Sequence, residues 1–187
     1  MLTEKEEKQG DLTMNKKLRR LVFAAVCLAL AYVLPFLTGQ IPEIGSRLCP
    51  MHIPVLLCGF ICGPWYGLVV GLIAPILRSL TLGMPPLFPT AVAMCFELGA
   101  YGLFAGLFYR LFPKKPGYIY VTLIIAMILG RLVWGAVMYA LTLMGKAQFG
   151  LAAFWTKGFV DALPGIIVQI VIIPPIVMAL RKAKLID

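Results

Sequence analysis

From Leu21 onward the sequence is a series of long apolar runs, separated by short segments rich in proline, glycine or basic residues. Each run is close to the roughly 20 residues that a helix needs to cross about 30 Å of hydrocarbon. Hydrophobic residues make up 61% of the 187 residues and charged residues only 13%, and the mean hydropathy is +0.93. A soluble fold could not cover so much apolar surface with so few charges. The sequence therefore predicts an all-α integral membrane protein that crosses the bilayer several times.

The breaks between the runs predict six transmembrane helices. Their expected ranges are about 17–39, 51–63, 65–82, 90–112, 118–144 and 151–182. The segment 83–89 is expected to be non-helical because it contains three prolines. The polar residues 1–15 are expected to form a disordered cytoplasmic tail, and 16–187 to form one transmembrane substrate-binding domain.

The net charge of +9 is explained by membrane topology rather than by nucleic-acid binding. Basic residues precede the first run, lie between the fourth and fifth runs, and follow the last: Lys16, Lys17, Arg19, Arg20, Arg110, Lys114, Lys115, Arg181, Lys182 and Lys184. These are the positions at which the positive-inside rule places cytoplasmic charge. With six helices, both termini are then cytoplasmic and the protein is expected in the cell membrane.

The sequence gives no sign of catalytic, metal or nucleotide chemistry. Its five cysteines lie in or beside apolar runs and are expected to pack as buried thiols. Cys58, Cys62 and His52 do not have the spacing of a zinc site. Neither an HExxH motif nor a GxxxxGK[ST] phosphate-binding loop occurs. We therefore expect neither an enzyme nor a bound cofactor, and any ATP hydrolysis would belong to another chain.

Small residues and prolines suggest two kinds of surface. Ala25 and Ala29 form a small-x3-small ridge on helix 1, which allows close approach of another helix in lipid. Ordinary packing within the chain is the alternative reading. The proline-rich connections 40–54 and 83–89 would lie at membrane depth, where irregular backbone needs protein or a cavity to satisfy it. They are either lids over a cavity or simple turns.

Five ionisable residues lie within or near the apolar runs: Arg78, Glu97, Arg131, Lys157 and Asp161. Each would cost a few kcal/mol facing lipid, so each should face a cavity or a partner. At about 1.5 Å of rise per residue, Glu97 lies about 10 Å below the outer surface. One reading is structural pairing, of Lys157 with Asp161 and of Arg78 or Arg131 with Glu97. The other is an outward cavity whose surplus positive charge binds an anionic solute.

His52 is the only histidine and lies between Pro50 and Pro54. Its position at the predicted outer interface would keep the imidazole in contact with water. We therefore expect a residue of the outer gate rather than a metal ligand or a catalytic base.

Two stretches carry a resemblance to a known family. The chain resembles a substrate-binding S component of an energy-coupling factor (ECF) vitamin transporter over about residues 16–184. The similarity lies in the alanine-rich AAVCLALA of helix 1, in PMHIPVLLCGFICGPWYGLVVGLIAPIL, and in GMPPLFPTAVAMCFELGAYGLFAGLFY. Such a protein captures a vitamin from outside and docks on a membrane scaffold, the T component, that carries two cytoplasmic ATPases. It then topples in the membrane to release the ligand inside.

The resemblance also implies roles for particular residues. Ala25 and Ala29 become the candidates for docking to the scaffold. The candidates for substrate binding are Arg78, Glu97, Arg131, Trp134, Lys157, Asp161, His52 and Pro86, the last in the 83–89 connection that would act as a lid.

The ligand is less constrained than the family. Among S-component ligands, a surplus of positive charge suits pantothenate best, while other vitamins and cobalamin or queuosine precursors stay open. A large flat ring such as flavin is disfavoured because the sequence shows no dense aromatic cluster. The alternative function is a self-sufficient secondary transporter or small channel, against which stand the lack of an inverted repeat and the single deep carboxylate.

Overall fold

The computed structural model describes the backbone of residues 2–38, 47–145, 149–183 and 185–186. Side chains are described within these ranges from residue 16, except for residue 38. The described chain is almost entirely helical, and no β-strand occurs in it. The all-α prediction is therefore confirmed for these residues.

The first helix, α1, spans Leu2–Val33, and its membrane-capable part begins at Lys16. The backbone continues as a short 3₁₀ helix, Leu34–Thr38. The α-helix ends here because Pro35 has no N–H with which to donate an α-helical hydrogen bond. The division at residue 15 into a tail and a membrane domain stays a prediction.

Helices α2 (His52–Cys62) and α3 (Pro64–Leu82) are separated by Gly63 alone. Gly63 has φ +100°, a left-handed conformation that glycine adopts without strain. Pro64 then opens α3 at a position where its missing N–H costs nothing. The predicted break at Gly63 and Pro64 is confirmed.

Between α3 and α4 (Val92–Leu111) the chain turns through Gly83, which has left-handed dihedral angles and ends α3. We expected all of 83–89 to be non-helical. That expectation is wrong for Leu87 and Pro89, which belong to a single π-helical turn at Leu87–Ala91, and it holds for Phe88, whose φ of −120° and ψ of 135° are extended.

Helix α5 spans Pro116–Leu143. The final apolar run is one predicted helix but three observed pieces: α6 (Leu151–Trp155), a π-helical turn (Thr156–Val160) and α7 (Leu163–Lys182). Pro164 explains the interruption, because proline lacks the N–H that would continue the helix and clashes with the preceding turn.

Five of the described helical segments are long and apolar enough to cross a membrane, and α2 is a shorter apolar helix of 11 residues. The protein is thus a multi-pass membrane protein. At 1.5 Å per residue, α2 alone is too short to span the hydrocarbon core.

Helix α4 is the centre of the bundle and contacts α2, α3 and α5. Of its membrane-capable segment 61% is buried within the protein, compared with 22% for α1. Glycines make these close contacts possible: Gly67 and Gly102 face one another so closely that a side chain on either would enter the other's backbone. Close approach of this kind is the main source of helix association in lipid.

Candidate ligand-binding site

A buried ion pair joins the two central helices near the end of the bundle at which α4 begins. Arg131 of α5 places Nη1 2.7 Å from Oε1 of Glu97 in α4. Glu97 is 2% exposed and Arg131 7%. A single charge at this depth would be expensive, so the two residues neutralise each other where neither can reach water.

Two further side chains surround the same carboxylate oxygen. The hydroxyl of Tyr101, one turn along α4, donates a hydrogen bond to Glu97 Oε1 at 3.0 Å. His52 Nε2 lies 3.6 Å from that oxygen, just beyond hydrogen-bonding distance, and the His52 and Tyr101 rings pack with centroids 5.3 Å apart. Helices α2, α4 and α5 therefore meet at one polar cluster.

The prediction that His52 stays in contact with water is wrong. His52 is only 3% exposed and is the first residue of α2. The physical reason is the fold around it, since α4 covers the start of α2 and brings Tyr101 over the imidazole ring. His52 belongs to the buried polar cluster rather than to an exposed interface.

Cys49 completes the cluster from the segment before α2. Arg131 Nη2 donates a weak hydrogen bond to Cys49 Sγ at 3.8 Å. Burial raises the pKa of the Cys49 thiol, and the nearby Arg131 guanidinium offsets this only in part. Cys49 also has φ +48°, in the left-handed region that costs a non-glycine residue about 1–2 kcal/mol. We call Cys49, His52, Glu97, Tyr101 and Arg131 the Glu97 cluster.

The Glu97 cluster contains unused hydrogen-bonding capacity. Within the described part of the chain, Arg131 Nε and both ring nitrogens of His52 are buried without a hydrogen-bond partner. Buried polar atoms are nearly always satisfied by protein, water or ligand. A polar ligand that reached the cluster could therefore add hydrogen bonds to these atoms.

Arg78 does not join this cluster. Of the two arginines predicted as partners of Glu97, only Arg131 pairs with it. Arg78 is buried at the end of α3, where Nη1 donates to the backbone oxygen of Tyr32 at 2.8 Å. Its guanidinium carbon lies 5.2 Å from the ring centroid of Phe36. Arg78 therefore ties α3 to the end of α1.

Trp134 lies one turn beyond Arg131 on α5 and belongs to an aromatic cluster. Its ring centroid is 5.2 Å from that of Phe149 and 6.3 Å from that of Phe154. Trp155 and Phe159 pack onto Phe154 in turn. The expectation that the chain has no dense aromatic cluster is wrong, because residues from two separate runs meet only in the folded bundle.

Lys157 and Asp161 lie beside these rings, on and just after the π-helical turn. Lys157 is exposed and Asp161 half-buried. Where the chain is described, no ion pair joins them, so the predicted i,i+4 pair is not present. Pro86 is exposed in the connection between α3 and α4, whereas residues 40–46 of the other predicted lid lie outside the described residues.

The two predicted docking residues, Ala25 and Ala29, are both exposed on α1. Their neighbours Ala24 and Ala31 are buried against the bundle. The ridge formed by Ala25 and Ala29 therefore faces away from the chain's own helices, which is the opposite of ordinary packing within the chain.

Tyr101 and Cys49 were not identified as site residues from the sequence. The signal for Tyr101 was present, since it follows Glu97 by four residues and so shares its helix face. No local pattern indicates Cys49, because its contact with Arg131 joins positions 82 residues apart.

All five cysteines of the chain are buried and in the reduced form, as predicted. Within the described residues, no group of three or more histidine, cysteine, aspartate or glutamate side chains has an arrangement that could hold a metal ion.

Residues 19–177, most of the chain, match the family model described as "ECF transporter, substrate-specific component". No curated protein and no solved structure matches the chain significantly. The chain belongs to the family of ECF transporter substrate-specific components, which bind the substrate of a transporter and are not enzymes.

Proposed function

We propose that this protein is the substrate-binding subunit of an ECF-type ABC importer in the cell membrane, and that it captures a water-soluble vitamin or related micronutrient from outside. The family match supports the general role. The Glu97 cluster supports the place of binding, because it is the site at which α2, α4 and α5 bring buried polar groups together.

The proposed topology has six crossings with both termini in the cytoplasm. The basic residues at 16–20, 110–115 and 181–182 gather at one end of the helices, as the positive-inside rule requires of a cytoplasmic side. The Glu97 cluster lies toward the opposite end and is thus on the outer side. In this topology α2 is too short to cross the hydrocarbon core by itself, and the residues on either side of it complete the crossing.

The ligand that fits the Glu97 cluster best is a small organic anion with further polar groups, and pantothenate is the best candidate. Arg131 Nε can donate to a ligand carboxylate, and the imidazole of His52 can donate or accept. Glu97 already balances the charge of Arg131, so the attraction comes from directed donors rather than from surplus charge. The aromatic cluster next to Arg131 offers an apolar wall for the rest of the ligand.

A ligand carboxylate at this position would compete with Glu97 for Arg131. Glu97, Arg131 and His52 are all buried, which leaves a ligand no direct access to them. Binding is therefore expected to require rearrangement of the Glu97 cluster, with candidate contributions from Trp134, Lys157, Asp161 and Pro86 at the outer end.

Delivery is proposed to use partners. The exposed Ala25 and Ala29 ridge would dock on a T component that carries two cytoplasmic ATPases, after which the subunit topples and releases its ligand inside. ATP would be hydrolysed by those partners, and this chain would need no cofactor. Exposure of both alanines on the least buried of the membrane-capable segments supports this role.

Co-purification from a host that expresses a complete energy-coupling module tests the proposal. The wild-type chain should bring down a membrane scaffold and two ATPases, and Ala25→Trp should lose them while still retaining its small molecule. Ala136→Trp is the matched control, since Ala136 is exposed on α5, away from the proposed ridge. Uptake that persists without any partner would instead favour a self-sufficient transporter.

The retained ligand can be identified in the same preparation by mass spectrometry after gentle purification. An organic anion is expected. Its affinity should fall by more than tenfold in Arg131→Lys, which keeps the charge but loses the guanidinium geometry, and should be unchanged in Arg110→Lys at the opposite end. Equal effects of the two variants would contradict the assignment of the site.

A further inference from the structure

The charges of Glu97 and Arg131 balance one another before any ligand enters the Glu97 cluster. Arg131 Nη1 lies 2.7 Å from Glu97 Oε1, and both residues are buried. Taking a charge out of water is costly, so a buried ion pair is stable only while each charge keeps its counter-ion. Any event that takes Arg131 away from Glu97 must therefore be compensated within the cluster.

The surroundings of Glu97 offer no second permanent cation among the described residues. Helices α2, α3 and α5 and the turn Leu87–Ala91 pack against α4, which carries Glu97. The one charged residue of α3, Arg78, reaches α1 instead, and the turn contains no titratable side chain. The titratable and charged groups that face Glu97 are Cys49, His52, Tyr101 and Arg131. Of these four, Arg131 alone is always charged.

A ligand carboxylate on Arg131 would take away the counter-ion of Glu97. Two negative charges would then share one guanidinium at a depth where neither is hydrated. A carboxylate in such a place takes up a proton rather than stay charged. One proton from water, taken up during the rearrangement that admits the ligand, makes Glu97 neutral and leaves the total charge of the cluster unchanged.

His52 is placed to accept the hydrogen of a neutral Glu97. Its Nε2 lies 3.6 Å from Glu97 Oε1, and within the described residues neither ring nitrogen has a hydrogen-bond partner. A neutral imidazole keeps one nitrogen as an acceptor, and a protonated carboxyl donates one hydrogen. A movement of less than about 1 Å would form this bond, while the Tyr101 hydroxyl can keep donating to the carboxyl.

We infer that an organic anion binds at the Glu97 cluster together with one proton, which moves from water onto Glu97 and is held by a hydrogen bond to His52 Nε2. Arg131 then pairs with the ligand instead of with Glu97. This inference rests on the proposed function of the site and adds its pH dependence. Because a proton is taken up on binding, the affinity should fall as the pH rises, over the range in which the ligand carboxylate stays ionised.

Isothermal titration calorimetry of the full chain in detergent, with pantothenate as the probe, tests this inference. Binding heats measured in buffers of different ionisation enthalpy should show an uptake of about one proton near pH 7. The Kd should rise about tenfold for each unit of pH between about 6 and 8, since one proton is linked to binding. Panthenol, in which CH₂OH replaces the carboxylate, should bind more weakly and take up no proton.

Glu97→Gln imitates the neutral form of Glu97 and locates the proton. This variant should bind pantothenate without proton uptake, and its Kd should change less than about twofold over the same pH range. At about pH 8 it should bind more tightly than the wild type. Asp161→Asn is the matched control, because Asp161 is the one other carboxylate among the side chains that the structure describes. It should still take up about one proton, whatever its affinity.

Pantothenate binding to the wild type without proton uptake would overturn the inference and leave the proposed function standing. An equal loss of uptake in Asp161→Asn and Glu97→Gln would do the same. Absence of pantothenate binding at every pH would overturn the inference together with the choice of ligand. If Glu97→Gln does not fold, infrared difference spectroscopy of the wild type takes its place. Pantothenate should then produce the carbonyl band of a protonated carboxyl, and absence of that band would contradict the inference.

Discussion

Charged residues lie at both ends of the helix bundle, but the two groups differ in how deeply they are buried. At one end Glu97 and Arg131 meet at 2.7 Å and are almost entirely buried. At the other, Arg20, Arg110 and Lys114 line a cavity of about 90 Å³, and the Arg110 side chain is exposed.

This difference follows from the solvent available to each end. A charge within the bundle must be matched by an opposite charge, because desolvation costs several kcal/mol per ion. An exposed cation at the membrane surface stays hydrated, so pairing it changes the stability little. The buried end is therefore the electrostatically sensitive end, and it is suited to a ligand recognised by directed hydrogen bonds.

Replacing one arginine at each end should give the largest difference between the ends in the free energy of unfolding. Arg131→Ala leaves Glu97 as an unpaired buried charge and should lower the free energy of unfolding by about 3–5 kcal/mol. Arg110→Ala, at an exposed position, should lower it by less than about 1 kcal/mol. Reversible denaturant unfolding in detergent measures both, and similar losses would show that the Glu97 cluster is not the electrostatically sensitive end.

The glycine contact between the two ends should show a smaller effect. Gly102→Ala places a methyl group in the backbone of Gly67, and overpacking of this kind costs about 1–3 kcal/mol. Because the contact packs α3 against α4, which carries Glu97, retention of the ligand should weaken as the stability falls. Denaturant unfolding in detergent and mass spectrometry of the retained ligand measure the two effects.

Gly117→Ala is the matched control for that substitution. Gly117 lies in the first turn of α5 with open space where a Cβ would stand, so alanine there should be neutral or slightly stabilising. Full ligand retention in a destabilised Gly102→Ala variant would show that the Glu97 cluster does not depend on this contact.

The smallest expected effect concerns backbone strain at the buried end. Cys49 has φ +48°, whereas at the basic end the residue with a positive φ is a glycine, Gly63, at +100°. Cys49→Gly and Cys49→Ala both lose the sulfur contact with Arg131, but only glycine relieves the strain. The glycine variant should therefore be more stable than the alanine variant by about 1 kcal/mol. Differential unfolding of the two variants measures this, and a more stable alanine variant would contradict it.

Much of the architecture was predictable because it depends on local properties. The all-α class and most helix boundaries follow from apolar run length, and the break before Pro64 follows from the chemistry of glycine and proline. The pairing of Arg131 with Glu97 was one of two predicted options, since burial requires any deep carboxylate to find a cation.

The choice of partners was not predictable. Arg78 and Arg131 are both arginines within apolar runs, yet only Arg131 reaches Glu97, because α5 packs on α4 while Arg78 turns toward α1. The burial of His52 and the contact of Cys49 with Arg131 depend on the same arrangement.

By itself the sequence determined that this chain is a helical membrane protein with cations concentrated at certain helix ends, because apolar run length, proline positions and charge are local quantities. Only the tertiary structure decided that Glu97, Arg131, His52, Tyr101 and Cys49 form one cluster, and that Arg20, Arg110 and Lys114 line one cavity. The physical reason is that glycine contacts such as Gly67–Gly102 set how closely and at what register the helices pack, and that register selects which distant side chains meet.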